Sequence, residues 1–200
     1  MSAASTGSRP LRRPRARRNR RHDLIRSGIP LLSRAERPTR VEDVTAAAGT
    51  AKGTFYLYFP SWGAYLAAVR DHLLAEYQRE MKSRLGALVP GTYWSVFDSE
   101  IEHFIRWMLG HGNLHRSVFH GAEVDRAVPT ELSAGQAIVG LLELGKEYGR
   151  ISPEVDGAVC ARLVLGTLHS AVAAHEAAPD ADVIRESIRF LRAAVAADTP

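Results

Sequence analysis

The run TAKGTFYL, Thr50 to Leu57, gathers four hydrogen-bond donors, Thr50, Lys52, Thr54 and Tyr56, around a single glycine, Gly53. Hydroxyls and an ammonium donate well to phosphate oxygens, and a residue without Cβ lets a bulky polyanion come close to the backbone. No carboxylate falls between Thr50 and Phe59. The chemistry on offer is anion binding through side-chain donors, with Leu57 as one apolar group among them. Arg40, upstream, can add a guanidinium contact of the same kind.

Such a face works only if something holds it outward. At 100° per residue, Ala51, Phe55 and Phe59 fall on the opposite side, where they can lock against two preceding helices. The nearer of these is predicted over Arg40–Ala48. TRVE, Thr39 to Glu42, fits a capping box: the Thr39 hydroxyl accepts from the Glu42 amide, and the Glu42 carboxylate from the Thr39 amide. Val41, Val44 and Ala48 then share an inner face, Gly49 supplies a left-handed residue for a sharp turn, and Thr50 is placed to cap the next helix. The first helix is read over Arg20–Arg34, with Leu24, Ile25, Leu31 and Leu32 as its apolar residues; Pro30 should kink or split it. A short acid-free helix held outward at a sharp corner fits a helix-turn-helix whose second helix enters the major groove. In that setting Leu57 can meet a thymine methyl, and an ordinary surface leucine accounts for it equally well.

The charge distribution points the same way. The formal net charge is +4, yet eight arginines lie between Arg9 and Arg21 and no acid precedes Asp23, which leaves 18 basic against 22 acidic side chains elsewhere. With Pro10 and Pro14 among those arginines, residues 1–19 read as a disordered basic arm. Such an arm strengthens DNA binding with little sequence choice, through phosphates or the minor groove. A transit peptide would need more of an apolar face than Leu11 and Ala16 supply.

VEDVTAAAGTAKGTFYLYFPS, followed by AYLAAV, resembles the N-terminal DNA-binding domain of the TetR family of bacterial transcriptional regulators. The likeness covers Thr39 to Val69 and rests on alanine–glycine, a small hydroxyl residue, lysine, glycine, threonine, an apolar residue, tyrosine and a terminal phenylalanine before the fourth helix. Two positions depart from the pattern: Trp62 stands where the family often has a lysine, and Pro30 is unusual in the first helix. The resemblance implies that Thr50, Lys52, Thr54 and Tyr56 hold the DNA backbone while Gly53 permits close approach. It also implies two parts, a helix-turn-helix domain over residues 20–65 and a helical regulatory and dimerisation domain over 66–200.

Past the corner the periodicity stays helical, so an all-α fold is expected. An unbroken helix from Ser61 to just before Pro90 would join the two parts as a lever. Further helices are predicted near Tyr93–Leu109, Glu131–Tyr148, Pro153–Ala174 and Ala181–Ala197, the third of them started by a Ser152 cap with Pro153 at its first position. Ile184, Ile188, Leu191 and Val195 form a stripe on the last helix, and Gly166, Thr167, Ser170, Ala171 and Ala174 give the one before it small residues. These faces can build a dimer interface or simply intramolecular core. The resemblance favours a homodimer through the last two helices, which on double-stranded DNA predicts a palindromic operator with half-sites about one helical turn, or a multiple, apart.

Phe97, Phe104, Trp107, Met108 and Phe119, with Trp94 nearby, are the candidate lining of a small-molecule effector site, and plain core is the competing reading. His111, His115 and His120 make a poor metal set because Gly110 and Gly112 disturb the helical spacing, so no metal, cofactor or catalytic residue is assigned. Cys160, the sole cysteine, reads as a small buried hydrophobe. With 46% hydrophobic residues, no apolar run expected to span a bilayer and no secretory signal, the chain is read as a cytoplasmic regulator, not an enzyme. The expected action is repression of an operator, relieved by a small, largely apolar ligand. The competing classes are a ligand-independent architectural DNA-binding protein and a metal-dependent enzyme using the central histidines.

Overall fold

The computed structural model describes residues 14–34, 38–86, 88–121, 131–179 and 182–197, and among them every regular element is helical. Helix α1 spans Pro14–Ser33. Proline suits a first helical position, where its missing N–H costs nothing, and arginine is a good helix former. Residues 14–19 are therefore helical, which corrects the expected disorder and moves the helix start upstream of residue 20. Residues 1–13, the rest of the arm, lie outside the described residues. Pro30 does not split the helix, which runs on to Ser33 although the proline forfeits the hydrogen bond to the Arg26 carbonyl.

Helix α2 (Val41–Ala47) begins one residue later than its capping signal suggested. The Arg40 amide donates to Asp43 Oδ2 at 2.9 Å, while the Thr39 hydroxyl donates away from the helix, to the Leu31 carbonyl at 3.1 Å. The reciprocal pair of Thr39 and Glu42 is thus replaced by Asp43 one position on, because Thr39 is used to tie the loop to α1. Gly49 has φ +60°, as the corner requires. Helix α3 (Lys52–Tyr56) follows with Ala51, not Thr50, at its N-cap; the Thr50 amide instead donates to the Thr45 carbonyl at 2.9 Å and closes the turn.

Helix α4 (Trp62–Leu85) starts where Ser61 Oγ accepts from the Ala64 amide at 3.0 Å. Its first half belongs to the head: Tyr65, Leu66, Val69 and Leu73 join Leu24, Ile25, Val44, Phe55 and Phe59 in one core. Tyr65 threads between the helices, its hydroxyl donating to the Leu24 carbonyl at 3.1 Å directly over Gly28, where a Cβ would overlap the tyrosine oxygen. The second half of α4 belongs to the body, with Tyr77 and Met81 in a separate core. The boundary expected at residues 65 and 66 therefore falls inside a helix that both cores share.

The body continues with α5 (Tyr93–Gly110), the short α6 (Asn113–His115) running into a wider helical turn over Arg116–His120, then α7 (Glu131–Glu147), α8 (Gly157–Ala177) and α9 (Asp182–Val195). Leu114 and Val118 plug back into the head core, so the segment after α5 bridges the two parts. Helix α8 starts later than the Ser152-Pro153 signal predicted. The Ser152 amide donates to the Val195 carbonyl at 3.1 Å and Ile151 bridges to Ala196; the chain then turns at Pro153 and Glu154, closed by the Val155 amide on the Ser152 carbonyl at 3.2 Å, before Asp156 caps the helix through the Ala158 and Val159 amides.

One reading left open is decided and one expectation needs correction. The stripe Ile184, Leu191 and Val195 is intramolecular core, with Ile188 packed against it, because α9 turns this face toward α5 and α8. Among the described residues α8 is also, by length and composition, apolar enough to cross a bilayer, since its alanines, glycines and valines are interrupted by few charges. It packs here against α5, α7 and α9.

Candidate nucleic-acid interface and effector cavity

Helix α3 is amphipathic in the sense the sequence implied. Phe55 is 0% and Phe59 2% exposed, with their rings 5.3 Å apart and both within 5.2 Å of Tyr65. Leu57, by contrast, is 71% and Tyr56 49% exposed. Lys52 and Gly53 face solvent, Thr50 and Thr54 are half-buried, and nothing lies within 4 Å of a Cβ built on Gly53. Arg40 is exposed at the start of α2. Ala51, expected on the buried side, is exposed because it caps the helix and so lies outside its regular turns. Trp62 stacks at 6.3 Å on Phe55 and contacts Tyr65 at 5.0 Å, so the position where a lysine was anticipated serves the aromatic core.

One acid reaches this face from α2. Glu42 Oε1 lies 2.5 Å from Lys52 Nζ, and the ammonium holds the carboxyl below its ordinary range while the carboxylate raises the lysine. Sequence reasoning missed the pair, although the sharp corner at Gly49 brings the exposed edge of α2 over the start of α3.

The body contains a cavity of about 40 Å³ between α4, α5, α7 and α8. Tyr77, Met81, Phe97, Ile101, Phe104 and Leu168 are among its lining residues. Phe97 and Phe104 stand where the sequence placed an effector, whereas Met108 is buried in the core away from this wall, and Trp107 and Phe119 pack across the junction of the two cores. Glu100, which also lines the cavity, is 5% exposed and was not anticipated. It accepts from Arg84 Nε and Nη2 at 2.5 and 2.9 Å and from the Tyr77 hydroxyl at 3.4 Å. Burial, with Glu100 beside it, pushes the Tyr77 phenol up; the same carboxylate raises Arg84. Because Arg84 lies on α4 and Glu100 on α5, the pair fastens the lever beside the cavity.

The central histidines disperse. His111 Nδ1 lies 2.7 Å from the Trp107 carbonyl, and His115 Nε2 lies 3.3 Å from His169 Nδ1 on α8. No group of three or more His, Cys, Asp and Glu side chains suited to a metal occurs among the described residues.

No protein-family model matches the chain. The uncharacterized HTH-type transcriptional regulator YvdT of Bacillus subtilis strain 168 is 31% identical over 88 residues, 44% of this chain and 44% of that protein. The chain thus matches less than half the length of that curated relative. RolR, solved in complex with resorcinol, superposes with a TM-score of 0.76 at 23% identity, over 93% of this chain and 92% of that one. The regulatory protein TetR from Rhodobacter sphaeroides superposes with a TM-score of 0.62 at 18% identity, over 87% and 97% of the two chains. The chain has the TetR-family fold. Within this TetR-type arrangement α1, α2, α3 and the first half of α4 make the head, and the cavity lies in the body behind it.

Proposed function

We propose that the protein is a DNA-binding transcriptional regulator, a cytoplasmic homodimeric repressor without enzymatic activity, which leaves a palindromic operator when a small, largely apolar molecule occupies the body cavity. The observation that carries the reading is α3 itself: Phe55 and Phe59 fully anchored beneath, Lys52, Gly53, Tyr56 and Leu57 turned outward. Thr50, Thr54 and Arg40 complete the backbone contacts, and Leu57 meets a base. The basic leader adds affinity with little sequence choice. Phe97 and Phe104 touch the effector, Trp107 and Phe119 lie behind them at the junction of the two cores, and Met108, buried in the core, drops out of the contact set. The superposition on RolR, a protein solved with resorcinol, supports a small effector.

The dimer face we assign to the outer sides of the last two helices. Val159, Leu163 and Phe190 are exposed there, and Gly166, Ser170 and Ala174 leave room for a second helix to approach. An effector that prefers a dimer with mis-spaced heads weakens operator binding by its differential affinity for the two states, and α4, fastened at Arg84, carries the shift.

Selection of fragments bound by the full-length protein from random DNA tests the reading. An imperfect palindrome is expected; enrichment of one unsymmetrical element would remove the dimer, and no enrichment would remove sequence-specific recognition. The modest size of the cavity favours one second reading, a ligand-independent architectural DNA-binding protein, for which scrambling the selected site would hardly change affinity.

A further inference from the structure

We propose that Glu42 is a brake on the reading face: its carboxylate occupies the Lys52 ammonium in the free protein, and DNA binding requires Lys52 to exchange that carboxylate for a phosphate oxygen. The inference rests on the DNA-binding reading given above. Its basis is geometric. The two groups meet at 2.5 Å with side chains 55% and 59% exposed, so the ammonium is already committed on the same surface that phosphates must reach. Helix α3 carries no acid of its own, which makes Glu42 the acid that intrudes. The other acid of α2, Asp43, accepts from the Arg40 amide at the start of its helix.

An exposed pair of this kind is weak and exchangeable, since water and salt screen it. A phosphate backbone, with about one charge per 1.7 Å of duplex, competes for the ammonium effectively, but the displaced carboxylate then faces those same phosphates. The resulting penalty is nearly independent of sequence. It leaves the ratio of operator to random DNA unchanged and keeps binding to random DNA weak in spite of the arginines that precede α2.

The test uses the full-length protein with Glu42→Gln, Lys52→Ala and the double variant, measured by fluorescence anisotropy on a random-sequence duplex and on the selected operator. Glu42→Gln should tighten binding to both by about threefold to tenfold, and in the Lys52→Ala background, where only the carboxylate's repulsion of phosphate is left, the gain should fall to less than about half of that. Weaker binding by Glu42→Gln would mean that the carboxylate positions Lys52, which overturns the brake. Equal gains in both backgrounds would leave simple repulsion and no exchange, and no change at all would make the pair irrelevant; either result ends the proposal. Failure of the wild type itself to bind any duplex would instead remove the DNA-binding reading, and the brake with it. Matching thermal unfolding of the variants, expected because both side chains are exposed, keeps a folding defect out of the comparison.

Discussion

In the head, Phe55, Phe59, Trp62 and Tyr65 lie ring against ring, and one hydroxyl pins α4 to α1; in the body, Met81, Ile101 and Leu168 border a void with an Arg84–Glu100 pair at its edge. Stiff aromatic packing fixes the angle at which α3 is held, which the proposed docking into a rigid duplex would require. Around the void the aromatics Tyr77, Phe97 and Phe104 share the wall with aliphatic and thioether side chains that can repack to admit a guest. One chain thus combines a part built to hold its shape with a part built to yield.

The sharpest way to break this contrast is to delete matched side chains from each core. Phe55→Ala should cost about 3–5 kcal/mol in urea unfolding and abolish DNA binding, because it empties the centre of the ring cluster. Leu24→Ala in the head and Leu168→Ala in the body remove the same atoms from equally buried sites, both within the general range of about 2–5 kcal/mol. The head variant should fall in the upper half and the body variant in the lower half; the reverse order would refute the contrast. Next comes Arg84→Met, which leaves the buried Glu100 carboxylate without its main partner. Arg84 is 32% exposed, so solvent screening reduces the expected loss to about 1–3 kcal/mol, read as a drop in thermal stability that Glu100→Met in the same chain restores. On the reading face, Leu57→Ala should shift preference at one base pair by about 1 kcal/mol and leave unfolding unchanged. Lys52→Ala should weaken binding to all sequences alike and lower the salt slope by about one unit.

Much of the head was legible because its signals are local. Gly49 needs a left-handed backbone, Ser61 is a strong cap, and the spacing of Phe55 and Phe59 fixes which side of α3 is inner. The misreadings came where a local signal met a distant competitor. Thr39 and Ser152-Pro153 are sound helix starts in isolation, but the first is taken by the Leu31 carbonyl and the second is tied to the end of α9 and spent on a turn. Pro14 was read as a breaker although a proline is cheap in the first turn of a helix, and Pro30 although burial of Leu24, Ile25 and Leu32 in the head core holds α1 continuous across it. The α9 stripe has one apolar face and two possible partners, a choice that only packing decides. The cavity was half legible: Phe97 and Phe104 stood out as aromatics, whereas Glu100 and Arg84 are 16 residues apart on different helices and carry no joint pattern.

The Tyr65 hydroxyl resting on the backbone at Gly28 has an outcome that reaches beyond this one chain. Position 28 cannot gain even a methyl group while a tyrosine stands at 65, so the two sites are bound to vary as a couple. Aligned relatives should show a larger residue at the first only where the second has lost its phenol oxygen or become smaller, and a tilt between the two helices that differs accordingly.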